Sequence, residues 1–313
     1  MIEIPPPLFL LLPLSLAAGL DLYLTLFVFT TAGFLGLGIQ GGEVLSSPIG
    51  VPILTILAGL YFTETALEFR PFPAFVWHSL QLLLRPLGAA LLGLFLLRDE
   101  ALGLLLLGVT MAGVVAAFSH VLIWGLGLLL RLVPEPHVSP VVLNFAGDVL
   151  ALGLVILALS HQGLAVLLAT LLLLLGLVFG GSCHGVARFG LALLVDRVWG
   201  IVSPNRWRER NQLPSWIRNG SLQEFQEVTR GARAATWNLT GRGRFRDGWI
   251  LQGNGEYSFT FRLRRTPHLV ELTGVEEKAQ LGPFAKTVVY RSPQDGPSAL
   301  FLQMGLIGPE SHK

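Results

Sequence analysis

The chain has 313 residues, of which 52% are hydrophobic and 13% are charged, about half the usual charged share of a soluble domain. A water-soluble protein of this length could not bury so much apolar surface in one or two cores, so the composition indicates a membrane protein. It also excludes a disordered chain and a coiled coil. The single cysteine, Cys183, excludes a disulfide framework.

The distribution of charge divides the chain into two parts that meet near residue 200. Residues 1–199 contain no lysine, six arginines and ten acids, and the rest of the chain contains sixteen basic residues and ten acids. Hydropathy changes at the same point, where the polar, basic cluster Pro204–Arg210 begins. We therefore predict a transmembrane helical domain over residues 1–200 and a polar domain over residues 201–313.

The first part holds six apolar stretches of about 20 residues or more, the length that crosses a bilayer as a helix. They run over about 7–39, 47–68, 75–97, 101–131, 140–160 and 164–181. Asp21 interrupts the first stretch, which predicts one interrupted span or a helical hairpin. Residues 182–200 are expected to form a helical extension or an interfacial segment. The predicted fold class is an all-α polytopic membrane domain with about six transmembrane helices.

The arginines beside the spans predict the orientation. If there are six spans, Arg70, Arg131, Arg188 and Arg197 lie on the same side as the basic C-terminal part, and Arg98 lies on the other side with two acids beside it. Arginines that flank spans favour the cytoplasm, so both termini are predicted to be cytoplasmic.

Three charged residues, Asp21, Arg85 and Asp148, fall near the centres of predicted spans. A charge at that depth costs about 2.5–3.5 kcal/mol on insertion scales, so none of the three is expected to face lipid. We expect Arg85 to pair with Asp148 or Asp21, because one guanidinium can hold two carboxylates. Other polar residues of the spans complete the predicted intramembrane cluster: Glu64, Glu68, His78, Gln81, His120 and Asn144.

This intramembrane cluster has two interpretations. It is a polar pathway or binding site between helices, or it is a structural group of ion pairs that fixes helix packing. For His78 and His120, helix–helix hydrogen bonding is favoured over a catalytic or ligand role. Neither HxxxH nor HExxH spacing occurs, so no metal site is predicted, and no cofactor is expected.

The part after residue 200 alternates polar and apolar residues as strands do. The predicted strands are Arg233–Leu239, Arg244–Gln252, Tyr257–Arg264, Leu269–Leu272, Lys286–Arg291 and Ala299–Met304. In Tyr257–Arg264 the aromatic and apolar positions share one face, which predicts a strand buried on one side. We expect a small all-β cytosolic domain, either a barrel or a sandwich.

Arginines around the boundary between the two parts are expected to contact anionic lipid headgroups of the inner leaflet. They are Arg197, Arg206, Arg208 and Arg210. Nucleic-acid binding is not expected, because Trp237, Trp249 and Tyr257 are spaced like core residues. The sequence contains no Walker loop, no GxSxG motif and no Ser/His/Asp arrangement, so an enzyme is not predicted.

Four short motifs follow one another along the spans. They are Ala18-Gly19-Leu20-Asp21-Leu22-Tyr23-Leu24-Thr25, Tyr61-Phe62-Thr63-Glu64 with Glu68 and Arg70, Trp77 with Arg85-Pro86-Leu87-Gly88-Ala89, and Pro134-Glu135-Pro136 with Asn144 and Asp148. In order and spacing they resemble a bacterial membrane family, domain-of-unknown-function family 4126, over about residues 9–180. Two places depart from the pattern: Leu22 replaces a common proline, and the stretch from Pro136 to Asn144 is longer than usual. The resemblance implies a multi-pass protein of the bacterial inner membrane and implies no activity.

Two functions from different classes are consistent with the sequence. The midplane charges favour a transporter or channel-like protein for a small solute or ion. The lack of a catalytic set, together with a separate polar domain, favours a non-catalytic scaffold or accessory subunit of a larger complex, whose β-domain docks a protein partner. Both functions require the lipid bilayer and neither involves nucleic acid.

Overall fold

The computed structural model describes a helical N-terminal region followed by a β-sheet. The described residues are 6–35, 50–132, 140–202, 208–218, 228–237, 245–253, 256–263, 266–271, 275–281, 285–292 and 296–303. The helices in this part of the chain are α1 (Pro6–Leu20), α2 (Leu22–Phe34), α3 (Gly50–Glu68), α4 (Pro71–Leu96), α5 (Leu102–Leu132), α6 (Pro140–Ser160) and α7 (Gln162–Val202).

Four of the described helices are long and apolar enough to cross a membrane. The four segments are Gly50–Glu68, Pro73–Leu96, Leu102–Leu128 and Val142–Ser160, in α3 to α6. Helix α7 provides a fifth if Gln162–Val178 and Cys183–Leu191, which meet at a bend of 72°, form one span. Helices α1 and α2 are shorter apolar helices. The helical region is therefore that of a multi-pass membrane protein with four or five candidate spans, where the sequence predicts about six.

Some apolar residues of the helices lie in a protein core, and others lie on an outer surface. Helices α1 and α2 are the most buried: α1 packs against α4 and α6, and α2 packs against α3 and α6. In contrast, α3 to α7 expose large apolar side chains such as Phe62, Leu83, Phe145 and Leu167. An exposed apolar surface of this extent is typical of contact with lipid.

The chain divides into two compact units, each described here by itself. The helical unit comprises residues 1–127 and 137–184, and the second unit comprises residues 128–136 and 185–313. This division runs through α7, most of which the sequence analysis assigned to the first domain.

The second unit contains an antiparallel sheet. After β1 (Arg208–Glu209) and a short 3-10 helix (Arg210–Gln212), its strands are β2 (Val228–Trp237), β3 (Phe245–Gly253), β4 (Glu256–Leu263), β5 (Thr266–Glu271), β6 (Val275–Leu281), β7 (Ala285–Ser292) and β8 (Gly296–Gln303). The strand order is β5-β4-β3-β2-β8-β7-β6, and β1 pairs with β2. The chain is thus a meander whose first and last long strands, β2 and β8, pair with each other.

Each of the six predicted strands overlaps a strand of the sheet, but β6 and the two-residue strand β1 were missed. In β6 the charged run Glu276-Glu277-Lys278 hides the apolar alternation. The prediction that β4 is buried on one side only was wrong, since Ser258, Phe259 and Thr260 are all buried.

The segment before β2 explains the second buried face of the sheet. Leu213 and Ile217 pack against Val228 and Leu251, and Leu251 pairs with Ser258 and therefore shares its face. A covering segment of this kind has no period-2 signal of its own, so strand alternation alone did not reveal it.

Candidate functional site

The site forms where the first predicted span is broken at Asp21. Asp21 is extended, with φ −146° and ψ 108°, and separates α1 from α2. Its Oδ1 accepts a hydrogen bond of 2.9 Å from the backbone N–H of Leu24, so Asp21 caps the start of α2. In an unbroken helix that N–H would bond to the carbonyl of Leu20, so the break frees that carbonyl.

Arg85 of α4 binds the carbonyl oxygens at the end of α1. Its Nη1 donates to the Gly19 oxygen at 2.7 Å and also to the Leu20 oxygen. A helix C-terminus carries partial negative charge, which favours a cation there. The side chains of Asp21 and Arg85 thus satisfy the backbone donor and acceptors that the break exposes.

The ion pair of Arg85 is with Glu64 of α3. Arg85 Nη2 lies 2.7 Å from Glu64 Oε1, and the two side chains are only 3% and 5% exposed. Gln81, one turn before Arg85 in α4, accepts from Arg85 Nε at 3.3 Å and donates to Glu64 Oε2 at 3.5 Å. The sequence analysis expected Asp21 or Asp148 as the partner; Asp21 interacts electrostatically with Arg85, but the contact ion pair is to Glu64.

Asp148 of α6 forms the more exposed end of the cluster. The Tyr61 hydroxyl donates to Asp148 Oδ2 at 3.3 Å, and the carboxyl groups of Asp148 and Asp21 act on each other electrostatically. Glu68 interacts with Asp148 electrostatically. Asp148, Tyr61 and Glu68 are half-buried, whereas Asp21 is buried. Burial therefore decreases from Arg85 towards Asp148.

Four described residues thus link α1–α2, α3, α4 and α6 into one polar cluster, which we call the break cluster: Asp21, Glu64, Arg85 and Asp148, with Gln81 and Tyr61 bound to it. The predicted residue Asn144 is half-buried one turn before Asp148, and no contact among the described residues places it in the cluster.

The predicted histidines form a separate contact between α4 and α5. His120 Nε2 donates to the backbone oxygen of His78 at 3.0 Å, and the two rings lie 6.2 Å apart. His120 also stacks on Trp124, with ring centroids 6.3 Å apart and planes inclined by 1°. This bonding fits the helix–helix role that the sequence favours. Among the described residues, no group of three His, Cys, Asp or Glu side chains is placed to hold a metal ion.

Close packing of α5 holds the end of α1 in place. Ser119 Oγ donates to the Leu16 oxygen at 3.3 Å. A Cβ at Gly19 would lie 1.7 Å from Ser119 Oγ and 2.4 Å from the Ala116 oxygen, so this position accepts only glycine without a shift of α5. The absence of a side chain at Gly19 therefore allows the end of α1 to pack closely against α5.

Sequence reasoning missed two parts of the break cluster. Tyr61 lies one turn before Glu64 in α3, so its i, i+3 position relative to that acid was an available signal. The carbonyls of Gly19 and Leu20 gave no side-chain signal; they are exposed only because the helix breaks at Asp21.

The predicted lipid-contacting arginines are described only in part. Arg206 and the side chains of Arg197 and Arg208 lie outside the described residues, and the backbone of Arg208 in β1 pairs with that of Gly231. Arg210 is exposed in the short 3-10 helix. An exposed arginine is compatible with lipid contact, which stays a prediction.

Comparison with known proteins gives a single match. No curated protein and no solved structure matches the chain. The model of the family described as domain of unknown function (DUF4126) matches residues 8–180, which contain the whole break cluster. Because this match spans more than half of the chain and agrees with the resemblance of its motifs, the protein belongs to the DUF4126 family.

Proposed function

We propose that the helical unit is a transporter or channel-like protein that moves a small solute or ion past the break cluster. The observation that carries this proposal is the broken helix at Asp21, whose two exposed ends are held by a buried acid and a buried arginine. Transporters commonly build their sites from discontinuous helices near the bilayer midplane, where half-helix ends face ions and substrates.

The proposal treats α1 and α2 as one broken span. With α3 to α6 and one bent span in α7, the chain then has the six spans that the sequence predicts. The arginines near the span ends favour both termini on the cytoplasmic side of a bacterial inner membrane. The half-buried residues Asp148, Tyr61 and Glu68 support an entrance to the cluster between α3 and α6.

A scaffold or accessory subunit is the second candidate, and one observation favours it. The Arg85 guanidinium is bound to Glu64, Gln81 and the carbonyls of Gly19 and Leu20, which is the saturation expected of a structural ion pair. In this case the sheet of the second unit is the element that docks a protein partner.

The strand pairing supports a closed barrel for this docking element. Six antiparallel pairings lead from β5 to β6, so these strands run in the same direction, and three residues separate them in the chain. Six steps of about 4.8 Å would separate the strands by about 29 Å in a flat sheet. The chain between Glu271 and Val275 spans at most about 15 Å. We infer that β5 and β6 lie close together and that the sheet closes into a barrel.

The experiment that tests transport uses the full chain reconstituted in liposomes on a solid-supported membrane. Concentration jumps of monovalent cations, divalent cations, amino acids and organic cations are applied in turn, and the transient current is recorded. We expect a current for at least one class, abolished by Asp148→Asn and retained in Asp99→Asn, an exposed acid in the turn after α4.

The same variant separates the two candidate functions. In a transporter, Asp148→Asn removes activity and leaves folding largely intact, because the amide keeps the shape of the carboxylate. In a scaffold, no solute gives a current from either the natural chain or the variant.

A further inference from the structure

The break cluster holds more negative than positive charge. Its carboxyl groups are those of Asp21, Glu64 and Asp148, and Arg85 is the one lysine or arginine buried among the described residues. The contact ion pair joins Arg85 to Glu64, which leaves the carboxyl groups of Asp21 and Asp148. Burying an uncompensated charge is costly, so this pair requires added positive charge.

The geometry of the pair indicates where that charge resides. The Asp21 and Asp148 carboxyl groups act on each other electrostatically, and α2, which Asp21 caps, packs against α6, which carries Asp148. Two neighbouring carboxylates that are both ionised repel each other, and one proton held between them removes this repulsion. Each group also accepts from a neutral donor, Asp21 from the Leu24 N–H and Asp148 from the Tyr61 hydroxyl.

Further groups face the carboxyl pair from the surrounding elements. The titratable or charged groups that act on it are Arg85 on α4, Tyr61, Glu64 and Glu68 on α3, and Tyr23 on α2. Thr25, one turn along α2 from Asp21, is fully buried, and its Oγ1 has no hydrogen-bond partner among the described residues. This hydroxyl is a spare donor and acceptor one turn from Asp21.

We infer that Asp21 and Asp148 share one proton, and that this proton is the ion that drives the proposed transport. The coupling role rests on the proposed function, but the shared proton does not. One O–H bond forms on one carboxylate, the proton comes from water at the half-buried Asp148 side, and the cluster gains one positive charge.

Infrared spectroscopy of the purified full chain at neutral pH tests the shared proton without any transport assay. Exposed acids are ionised there, so the C=O band of a protonated carboxyl, which shifts in D₂O, reports a buried acid. We expect this band in the natural chain, and we expect Asp148→Asn and Asp21→Asn each to abolish it, because the remaining acid then ionises beside an amide donor. Asn also caps helices well, so Asp21→Asn should fold.

Controls and opposing outcomes follow from the same spectra. Asp99→Asn should keep the band, since Asp99 is exposed and lies outside the break cluster. No band in the natural chain, a band that survives both aspartate variants, or a band removed by adding Na⁺ or K⁺ would overturn the inference. A band without any transport current would refute the proposed function and leave the shared proton standing.

Discussion

Removal of the carboxylate that pairs with Arg85 should destabilise the helical unit strongly. Glu64→Ala leaves the guanidinium, 3% exposed, without its contact counter-charge at 2.7 Å. Breaking one partner of such a buried pair costs about 3–5 kcal/mol. Glu64→Gln keeps an acceptor oxygen for Arg85 and loses only the charge, so we expect about 1–2 kcal/mol from the difference between charged and neutral hydrogen bonds.

The assay is equilibrium unfolding of the full chain in mild detergent with increasing dodecyl sulfate, followed by fluorescence of its seven tryptophans. Asp99→Ala is the matched control, because it breaks the exposed pair with Arg98, whose atoms lie 3.3 Å apart. Exposed pairs contribute about 0–1 kcal/mol. Equal unfolding midpoints for Glu64→Ala and Asp99→Ala would refute the claim that Glu64 balances the buried charge.

Three further predictions concern packing around the break and in the sheet. Gly19→Ala should lower the free energy of unfolding by about 1–3 kcal/mol through overpacking, because its Cβ would lie 2.4 Å from a backbone oxygen of α5. In the same unfolding assay, the control Gly153→Ala should not destabilise the protein, because its Cβ would meet nothing within 4 Å. Arg85→Met should lower stability more than Glu64→Ala, since it also leaves two carbonyls of α1 unbound; an equal loss would contradict this. A fragment that begins at about residue 208 should be soluble and should melt cooperatively. Its melting temperature should be higher than that of a fragment that begins at about residue 215, because the shorter fragment lacks Leu213. Equal melting temperatures, or an insoluble longer fragment, would contradict this.

The sequence was enough to predict which polar residues face away from lipid. It was not enough to predict which residues they contact. The position of Arg85 in a span was enough to place it inside the protein, because a lipid-facing charge is costly. The depth of Arg85 in its span did not predict which residue it pairs with. Glu64 falls near the end of α3 in the sequence, yet α3 and α4 are neighbours, and this brings it to Arg85. Which helices are neighbours depends on packing of the whole unit.

The break at Asp21 shows a second limit of sequence reasoning. A single acid in an apolar run predicts an interruption, but one helix, a hairpin and two half-helices share that pattern. The outcome depends on partners far along the chain: Arg85 for the carbonyls and Ser119 for the close approach of α5. In the sheet, alternation located β2 to β5, β7 and β8, because their period-2 pattern is local.

Water access to the break cluster is the most direct test of the claim that it is a transport site. In a Cys183→Ala background, Tyr61→Cys places a thiol in the space that opens towards Asp148 when the Tyr61 ring is removed. Phe62→Cys places a thiol on the lipid-facing surface, where Phe62 is 68% exposed. The rate of reaction with a charged, membrane-impermeant thiol reagent is measured for both in liposomes, with labelling in dodecyl sulfate as the reference for full access. We predict that Tyr61→Cys reacts and Phe62→Cys does not. An unreactive Tyr61→Cys would mean that the cluster is dry, and would contradict transport through it.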